Sequence, residues 1–164
     1  NPADPKLQTT IFNGFELRAA VTPYTGGGYM HTTDDRTPVT FITRYYLDKI
    51  KRLCDAHGTK LLFVTAPSPV NHTMQRHNEV QALADALAVP YLDLNLNTEE
   101  LGIDWNLDTL DGGDHLNYTG CQKATAYLQR YMQTHYTLPD RRKDARYETW
   151  NKRAAEFEKL LPQT

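Results

Sequence analysis

From position 38 onward, helical patterns of apolar residues alternate with short apolar strand patterns, and this alternation constrains the fold more than any other feature. Apolar residues that recur every three or four positions predict amphipathic helices, whereas short apolar runs bounded by proline or glycine predict strands. The predicted helices cover about 39–57, 80–87 and 121–132, and the predicted strands cover 60–66 and 89–94. This order is typical of an α/β layered sheet with right-handed crossovers.

Two strands are too few for a stable sheet, so the predicted sheet is incomplete. We therefore expect the chain to be the C-terminal half of a doubly wound domain. An N-terminal hairpin, the missing N-terminal half or a second copy of the chain would complete the sheet. Functional loops in such sheets lie at the carboxyl ends of the strands, which are here at 65–68 and 93–95.

The segments on either side of this region differ from it in character. Residues 1–37 are irregular and polar, and Asn13-Gly14 favours a hairpin turn. Residues 38–138 form the predicted α/β portion, and residues 139–164 form a charged linker and a C-terminal amphipathic helix. One face of that helix carries apolar residues at heptad spacing, namely Tyr147, Trp150, Ala154, Phe157 and Leu161. We expect this face to be buried against its own domain, with a partner interface as the alternative.

The charge and hydropathy of the chain exclude some classes of function. A net charge of −2 and a pI near 6.3 give no electrostatic basis for binding nucleic acid. No apolar run is long enough to cross a bilayer, and no signal peptide is recognisable. Because the chain begins at Asn1 rather than at methionine, we expect it to be processed or partial. Cys54 and Cys121 fall in helical patterns and are interpreted as buried free thiols.

The most informative motif is the loop 111–120, with the sequence Asp-Gly-Gly-Asp-His-Leu-Asn-Tyr-Thr-Gly. It places two carboxylates and a histidine directly before an amphipathic helix. A hydrolase that activates a serine needs a histidine as general base and a carboxylate that orients it. His115 with Asp111 or Asp114 would supply both groups. In the alternative interpretation, Asp114 and Asn117 cap the helix and His115 lies on the surface.

Residues 60–136 resemble the C-terminal half of an SGNH (GDSL-type) hydrolase, particularly of a bacterial cell-envelope branch. The resemblance is carried by Thr65-Ala66-Pro67-Ser68-Pro69, by the strand 89–94, by Ile103-Asp104-Trp105 and by the block 111–120. It implies a flavodoxin-like three-layer α/β fold and an extracytoplasmic or cell-envelope location. It also implies hydrolysis or transfer of an acyl ester, often acetyl on a glycan. The expected substrate is an acylated carbohydrate or another small ester.

The resemblance also implies roles for particular residues. It makes His115 the general base and a nearby aspartate its orienting partner. The family pattern places this aspartate three residues before the histidine, whereas Asp111 is four residues before it and Asp114 is one before it. Adjacent side chains tend to diverge, and the glycines at 112 and 113 allow the chain to turn, which favours Asp111.

The family's catalytic serine lies in an N-terminal block at the end of the first strand. Ser68 is the one serine of this chain, and it stands between two prolines at a strand end. We interpret it as a turn residue. We therefore expect the nucleophile to lie in sequence outside this chain.

A second hypothesis comes from another class of function, a non-catalytic glycan-binding or assembly module with the same fold. The predicted substrate-binding residues are Trp105, Asn117 and Tyr118, and the second hypothesis rests on Trp105 and Tyr118. The two aromatic residues offer faces for sugar stacking, and partial burial in the core is the alternative for both.

Neither a metal nor a cofactor is predicted from the sequence. His72 and His77 are five residues apart with no nearby cysteine, which is poor zinc spacing, so we interpret them as exposed loop residues. The acidic residues at 104, 108, 111 and 114 lack the regular alternation of a calcium loop.

Overall fold

The computed structural model describes residues 15–161, so the predicted turn at Asn13-Gly14 lies outside the described residues. The elements in chain order are α1 (Phe41–Ala56), β1 (Phe63–Thr65), α2 (Met74–Leu87), β2 (Tyr91–Asp93), α3 (Thr98–Leu101), α4 (Tyr118–His135) and α5 (Glu148–Glu158). The predicted α/β class is confirmed, because helices alternate with a small parallel sheet. None of the helices in residues 15–161 is long and apolar enough to cross a membrane.

The sheet consists of β1 and β2, which run parallel, with Phe63 opposite Tyr91 and Thr65 opposite Asp93. Helix α2 connects them, as a parallel pair requires. Both strands are three residues long and therefore shorter than predicted. One face of β1 is open to solvent, because Val64 is 42 % exposed. No other described element covers that face sufficiently to exclude water.

Helix α1 begins at a Thr40 cap, whose hydroxyl accepts a hydrogen bond from the Thr43 N–H at 3.2 Å. Its C-cap is His57, and Gly58 follows with a φ of 63°, a conformation that glycine adopts readily after a helix. Its apolar side chains are nonetheless exposed, namely Phe41, Ile42, Tyr45, Tyr46, Ile50 and Leu53. Spacing therefore predicts the helix correctly, but within residues 15–161 this apolar face is not covered.

Residues 19–127 form one compact unit, and its core lies around β2. The buried apolar residues are Leu83, Ala84, Val89, Leu92, Leu94 and Leu101. The segment 19–37, part of the predicted irregular N-terminal segment, belongs to this unit. Its backbone is held by hydrogen bonds from Thr22 N to Thr109 O (3.1 Å) and from Tyr24 N to Trp105 O (2.9 Å).

The second compact unit contains residues 15–18 and 128–161 of the described chain. Phe15 and Phe157 pack edge to face with their ring centroids 5.5 Å apart. The expectation that the apolar face of the C-terminal helix is buried is wrong for Trp150, which is 62 % exposed, and for Tyr147. Heptad spacing shows which residues share a face, but a packing partner is needed to bury that face.

The two cysteines lie in helices as predicted and form no disulfide. Cys54 and Cys121 are both half-buried rather than fully buried. Burial raises the pKa of the Cys121 thiol above its ordinary value. A raised pKa lowers the fraction of thiolate at neutral pH, so Cys121 is a poor nucleophile in this setting.

Candidate active site

The loop before α4 is closed at its base by backbone pairing. Thr109 and Leu116 form an antiparallel bridge, and Leu110 N donates to His115 O at 2.9 Å. Within the loop, Gly112 and Gly113 have φ values of 77° and 102°. Residues that have a side chain rarely adopt such positive φ values, so the two glycines permit the tight reversal of the chain. A Cβ atom on Gly113 would also lie 2.8 Å from the ring of Tyr24.

This reversal brings Asp111 back onto His115. Asp111 Oδ1 accepts the His115 backbone N–H at 2.8 Å, and Asp111 Oδ2 lies 2.7 Å from His115 Nδ1. A carboxylate accepts, so Nδ1 carries the proton and the basic lone pair belongs to Nε2. Burial opposes ionisation of Asp111, but the hydrogen bonds from His115 outweigh it and hold the pKa of the carboxyl below its ordinary value. Both side chains are accessible, with 66 % of His115 and 41 % of Asp111 exposed.

Asp114 has a different set of contacts. Its carboxylate is 3.6 Å from His115 Nδ1, beyond hydrogen-bond distance. Its other oxygen accepts a hydrogen bond from the Asn71 side-chain amide. Asp114 therefore links the loop to the turn after β1, whereas Asp111 makes the direct contact with the imidazole. The catalytic role of either carboxylate remains a prediction.

Ser68 lies in that turn after β1. Its hydroxyl donates to Gly113 O at 3.2 Å and accepts from Asn71 N at 3.3 Å, while Ser68 N donates to Asn95 Oδ1 at 2.8 Å. The Ser68 hydroxyl therefore connects backbone groups of two loops. These contacts agree with the interpretation of Ser68 as a turn residue.

Asn117 was predicted to bind substrate, and its contacts do not support that role. The side chain is buried, with 2 % of the residue exposed. Its Oδ1 accepts from Gly120 N at 3.1 Å and from the Thr119 hydroxyl at 2.7 Å, and its Nδ2 donates to Leu107 O at 2.7 Å. The amide oxygen thus caps α4, and the amide nitrogen holds the preceding loop. Capping by Asn117 is the alternative interpretation that the sequence left open.

The two aromatic residues predicted to contact substrate are half-buried. Trp105 packs edge to face against Tyr24 and Tyr29, with centroid distances of 6.2 and 5.8 Å. The Tyr118 hydroxyl accepts a hydrogen bond from Gln122 Nε2 at 3.0 Å. The packing interpretation describes Trp105 well, and contact of either ring with a sugar remains a prediction.

Asp108 has partners that differ from those of Asp111 and Asp114. Asp108 is buried, and its carboxylate accepts from Lys123 Nζ at 2.5 Å and from Asp104 N at 2.7 Å. Burial opposes ionisation, but the hydrogen bond from Lys123 and that from the Asp104 backbone hold the pKa of Asp108 below its ordinary value. Asp108 and Asp111 thus have separate partners, Lys123 and His115.

The interpretation of His72 and His77 as exposed loop residues is wrong. His72 is buried and His77 is half-buried in the first turn of α2. Both rings contact Asp93, the last residue of β2, with His72 Nε2 and His77 Nδ1 each 2.8 Å from Asp93 Oδ2. Sequence spacing missed this cluster because its carboxylate lies 16 residues after His77. The sequence feature that could have indicated this cluster is the position of Asp93 at the end of a predicted strand, because functional groups gather at the carboxyl ends of strands in α/β sheets.

Within residues 15–161, two groups have the side chains and spacing needed to hold a metal ion: His72 with His77 and Asp93, and Asp111 with Asp114 and His115. The first group is largely buried and the second is accessible. Comparisons of the chain with family models, with curated proteins and with solved structures give no match. Inference about function therefore depends on the residues and their geometry.

Proposed function

We propose that this chain carries the Asp–His general-base pair of an SGNH-type ester hydrolase or O-acyltransferase of the bacterial cell envelope. The observation that carries the proposal is the two-point contact of Asp111 with His115, at 2.8 Å to the backbone N–H and 2.7 Å to Nδ1. Such a contact sets the tautomer and the orientation of the imidazole, the two functions that a catalytic carboxylate performs. The exposure of His115 is compatible with access by a substrate.

In the proposed reaction, His115 Nε2 takes the proton of a serine hydroxyl as the serine oxygen attacks the acyl carbonyl carbon. Asp111 stabilises the imidazolium that forms. His115 then returns the proton to the oxygen of the leaving alcohol as the carbon–oxygen bond breaks. Water in a hydrolase, or an acceptor hydroxyl in a transferase, releases the acyl group by the same steps in reverse order. The proposed substrate is an acylated carbohydrate or another small ester.

We assign the nucleophile to a serine outside these 164 residues. Ser68 is the one serine present, and its hydroxyl donates to Gly113 O at 3.2 Å. The incomplete sheet and the exposed apolar face of α1 support a larger flavodoxin-like domain, in which further strands and helices would cover both. The missing N-terminal half of that domain is the proposed source of the serine.

Reading the complete open reading frame and labelling the protein with a fluorophosphonate probe would test this assignment. We expect a Gly-Asp-Ser type block upstream, covalent labelling at its serine, and no labelling of the 164-residue chain by itself. The variant Ser68→Ala serves as the matched control and should be labelled like the unmodified protein of the same length. Labelling of Ser68 would contradict the assignment of the nucleophile. Absence of an upstream serine block would favour the non-catalytic glycan-binding or assembly module instead.

A further inference from the structure

A second cluster of polar side chains lies at the carboxyl ends of the two strands. His72 follows the turn after β1, His77 lies in the first turn of α2, and Asp93 is the last residue of β2. Their side chains are 8 %, 15 % and 1 % exposed. Parallel strands place their carboxyl ends at the same edge of a sheet, and this edge is where ligands bind in α/β folds. Residues remote in sequence thus meet at one point.

The three side chains direct one potential ligand atom each toward the others. His72 Nε2 and His77 Nδ1 are both 2.8 Å from Asp93 Oδ2, and all three atoms lie within 4.8 Å of one another. Ligand atoms around one zinc ion at 2.0–2.2 Å are separated by roughly 3–3.5 Å. If the three side chains moved slightly apart, their ligand atoms would therefore reach the separations found in a zinc coordination shell.

We propose that His72, His77 and Asp93 form a binding site for a divalent transition-metal ion, with Zn²⁺ as the preferred occupant. Two imidazole nitrogens and one carboxylate oxygen are ligands that Zn²⁺ favours. The carboxylate brings a formal charge of −1 into a buried position, and a divalent cation would compensate that charge. This proposal does not depend on the proposed catalytic role of His115.

The residues around the cluster already orient the carboxylate. Asp93 Oδ1 accepts from Asn95 N at 2.9 Å and from Asn95 Nδ2 at 2.8 Å, which leaves Oδ2 to contact the histidines. The Tyr91 hydroxyl donates to Oδ2 at 3.1 Å, and the Tyr91 ring stacks on His77. Hydrogen bonds of this kind orient metal ligands in known sites. Asn95 therefore holds Asp93 in the position that the site requires.

Another polar group lies within electrostatic range of this cluster. The Tyr29 hydroxyl is buried near the cluster. Burial raises the pKa of Tyr29 above its ordinary value, and the negative charge of Asp93 raises it further. Three protein ligands leave a fourth position of tetrahedral zinc for water or another small ligand.

The site would stabilise the fold where the candidate catalytic loop is anchored. Asn95 contacts Asp93 on one side and accepts the Ser68 N–H at 2.8 Å on the other, and the Ser68 hydroxyl contacts Gly113 O. A metal ion on Asp93 would thus fix the strand ends that support this loop. The expected role is structural, because the ligands are largely buried.

Titration of the metal-free 164-residue chain with Co²⁺ and Zn²⁺ tests the proposal. We expect one equivalent of Co²⁺ to give visible absorption of a low-coordinate nitrogen–oxygen site, Zn²⁺ to abolish that absorption, and the thermal midpoint to rise with added Zn²⁺. The variants His72→Ala and His77→Gln should each weaken Zn²⁺ binding by at least about 10–100-fold. Removal of a residue that only hydrogen-bonds to a metal ligand already causes a loss of about this size, and loss of a ligand itself should cost at least as much. Calorimetry measures both the affinity and the stoichiometry.

Two control variants separate this site from other histidines. His115→Ala removes the imidazole of the accessible group and should leave the high-affinity binding unchanged, as should the exposed-histidine variant His31→Ala. Circular dichroism checks that each variant is folded. If a ligand variant does not fold, the Co²⁺ absorption and the Zn²⁺-dependent thermal midpoint of the wild type still test the proposal. Absence of saturable Zn²⁺ binding by the wild type, or binding that is lost only in His115→Ala, would overturn the proposal.

Discussion

Asp111 contacts His115 at two points, with one carboxylate oxygen on the backbone N–H at 2.8 Å and the other 2.7 Å from ring Nδ1. The backbone contact holds the loop, and the ring contact sets the tautomer. Because one side chain makes both contacts, the orientation of the imidazole is coupled to the conformation of the loop. Gly112 and Gly113 make the coupling geometrically feasible through their positive φ values.

Asp111→Asn should reduce turnover more than Asp114→Asn in the longer protein that carries the proposed serine. An amide at position 111 can donate to Nδ1 and so favour the wrong tautomer, an effect worth about 10⁴-fold in kcat in a serine protease triad. Asp114 is 3.6 Å from the ring, so Asp114→Asn is the matched control. Steady-state kinetics on p-nitrophenyl acetate would measure both. The reverse order of the two effects would assign the orienting role to Asp114.

Gly120→Ala should destabilise the chain even though alanine favours helices. Alanine is ordinarily about 1 kcal/mol better than glycine inside a helix. At position 120 of α4, however, a Cβ atom would lie 2.4 Å from Asp108 O. We therefore expect the free energy of unfolding to fall by about 1–3 kcal/mol in urea titrations. Gly27→Ala, where a Cβ atom meets nothing within 4 Å, is the control and should change little. A stabilised Gly120→Ala variant would contradict this close approach.

Asp108→Asn should make stability less dependent on pH in the acidic range. The folded pKa of Asp108 lies below its ordinary value, so the ionised carboxylate stabilises the fold above the unfolded pKa near 4. That contribution is lost as the pH falls through the folded pKa. The variant should therefore be less stable than wild type by about 2 kcal/mol at neutral pH.

The difference in the free energy of unfolding between wild type and Asp108→Asn should narrow below about pH 4. Free energies of unfolding of both proteins, measured between neutral and acidic pH, would show it. Asp140→Asn is the control, because Asp140 pairs with Arg142 at the surface. A difference between wild type and Asp108→Asn that stays constant with pH would exclude ionised Asp108 as the source of the stabilisation.

Trp150→Ala should change the free energy of unfolding by no more than about 0.5 kcal/mol, because the side chain is 62 % exposed. Phe157→Ala removes the edge-to-face contact with Phe15 and should cost about 1–2 kcal/mol. Urea unfolding of the isolated chain would compare them. A larger loss for Trp150→Ala than for Phe157→Ala would mean that the exposed face is buried in solution, against the chain itself or a partner.

Local pattern was sufficient to locate α1, α2, α4, α5 and the two strands, although both strands are shorter than predicted and α3 was not predicted. The apolar spacing of 80–87 and 121–132 corresponds to α2 and α4, and the two predicted strands pair in parallel. The glycines at 112 and 113 also indicated how Asp111 can approach His115. These features depend on neighbours along the chain, which a sequence displays directly.

Features that depend on distant residues were missed. His72 and His77 were interpreted as exposed loop residues, whereas both contact Asp93, which lies at the end of β2. The burial of Asn117 and its cap on Gly120 N likewise depend on tertiary packing, and its assignment to substrate binding stays a prediction. The exposed apolar faces of α1 and α5 have the same physical origin, since periodicity shows which residues share a face but not what covers them.

His115 is proposed to act as the general base, and kcat/KM of His115→Ala on p-nitrophenyl acetate tests this role. The protein assayed must include the proposed serine block, and its thermal midpoint should match that of the unsubstituted protein because the His115 side chain is 66 % exposed. We predict a fall in kcat/KM of at least about 10³-fold. An unchanged kcat/KM in the folded variant would contradict the catalytic role of His115.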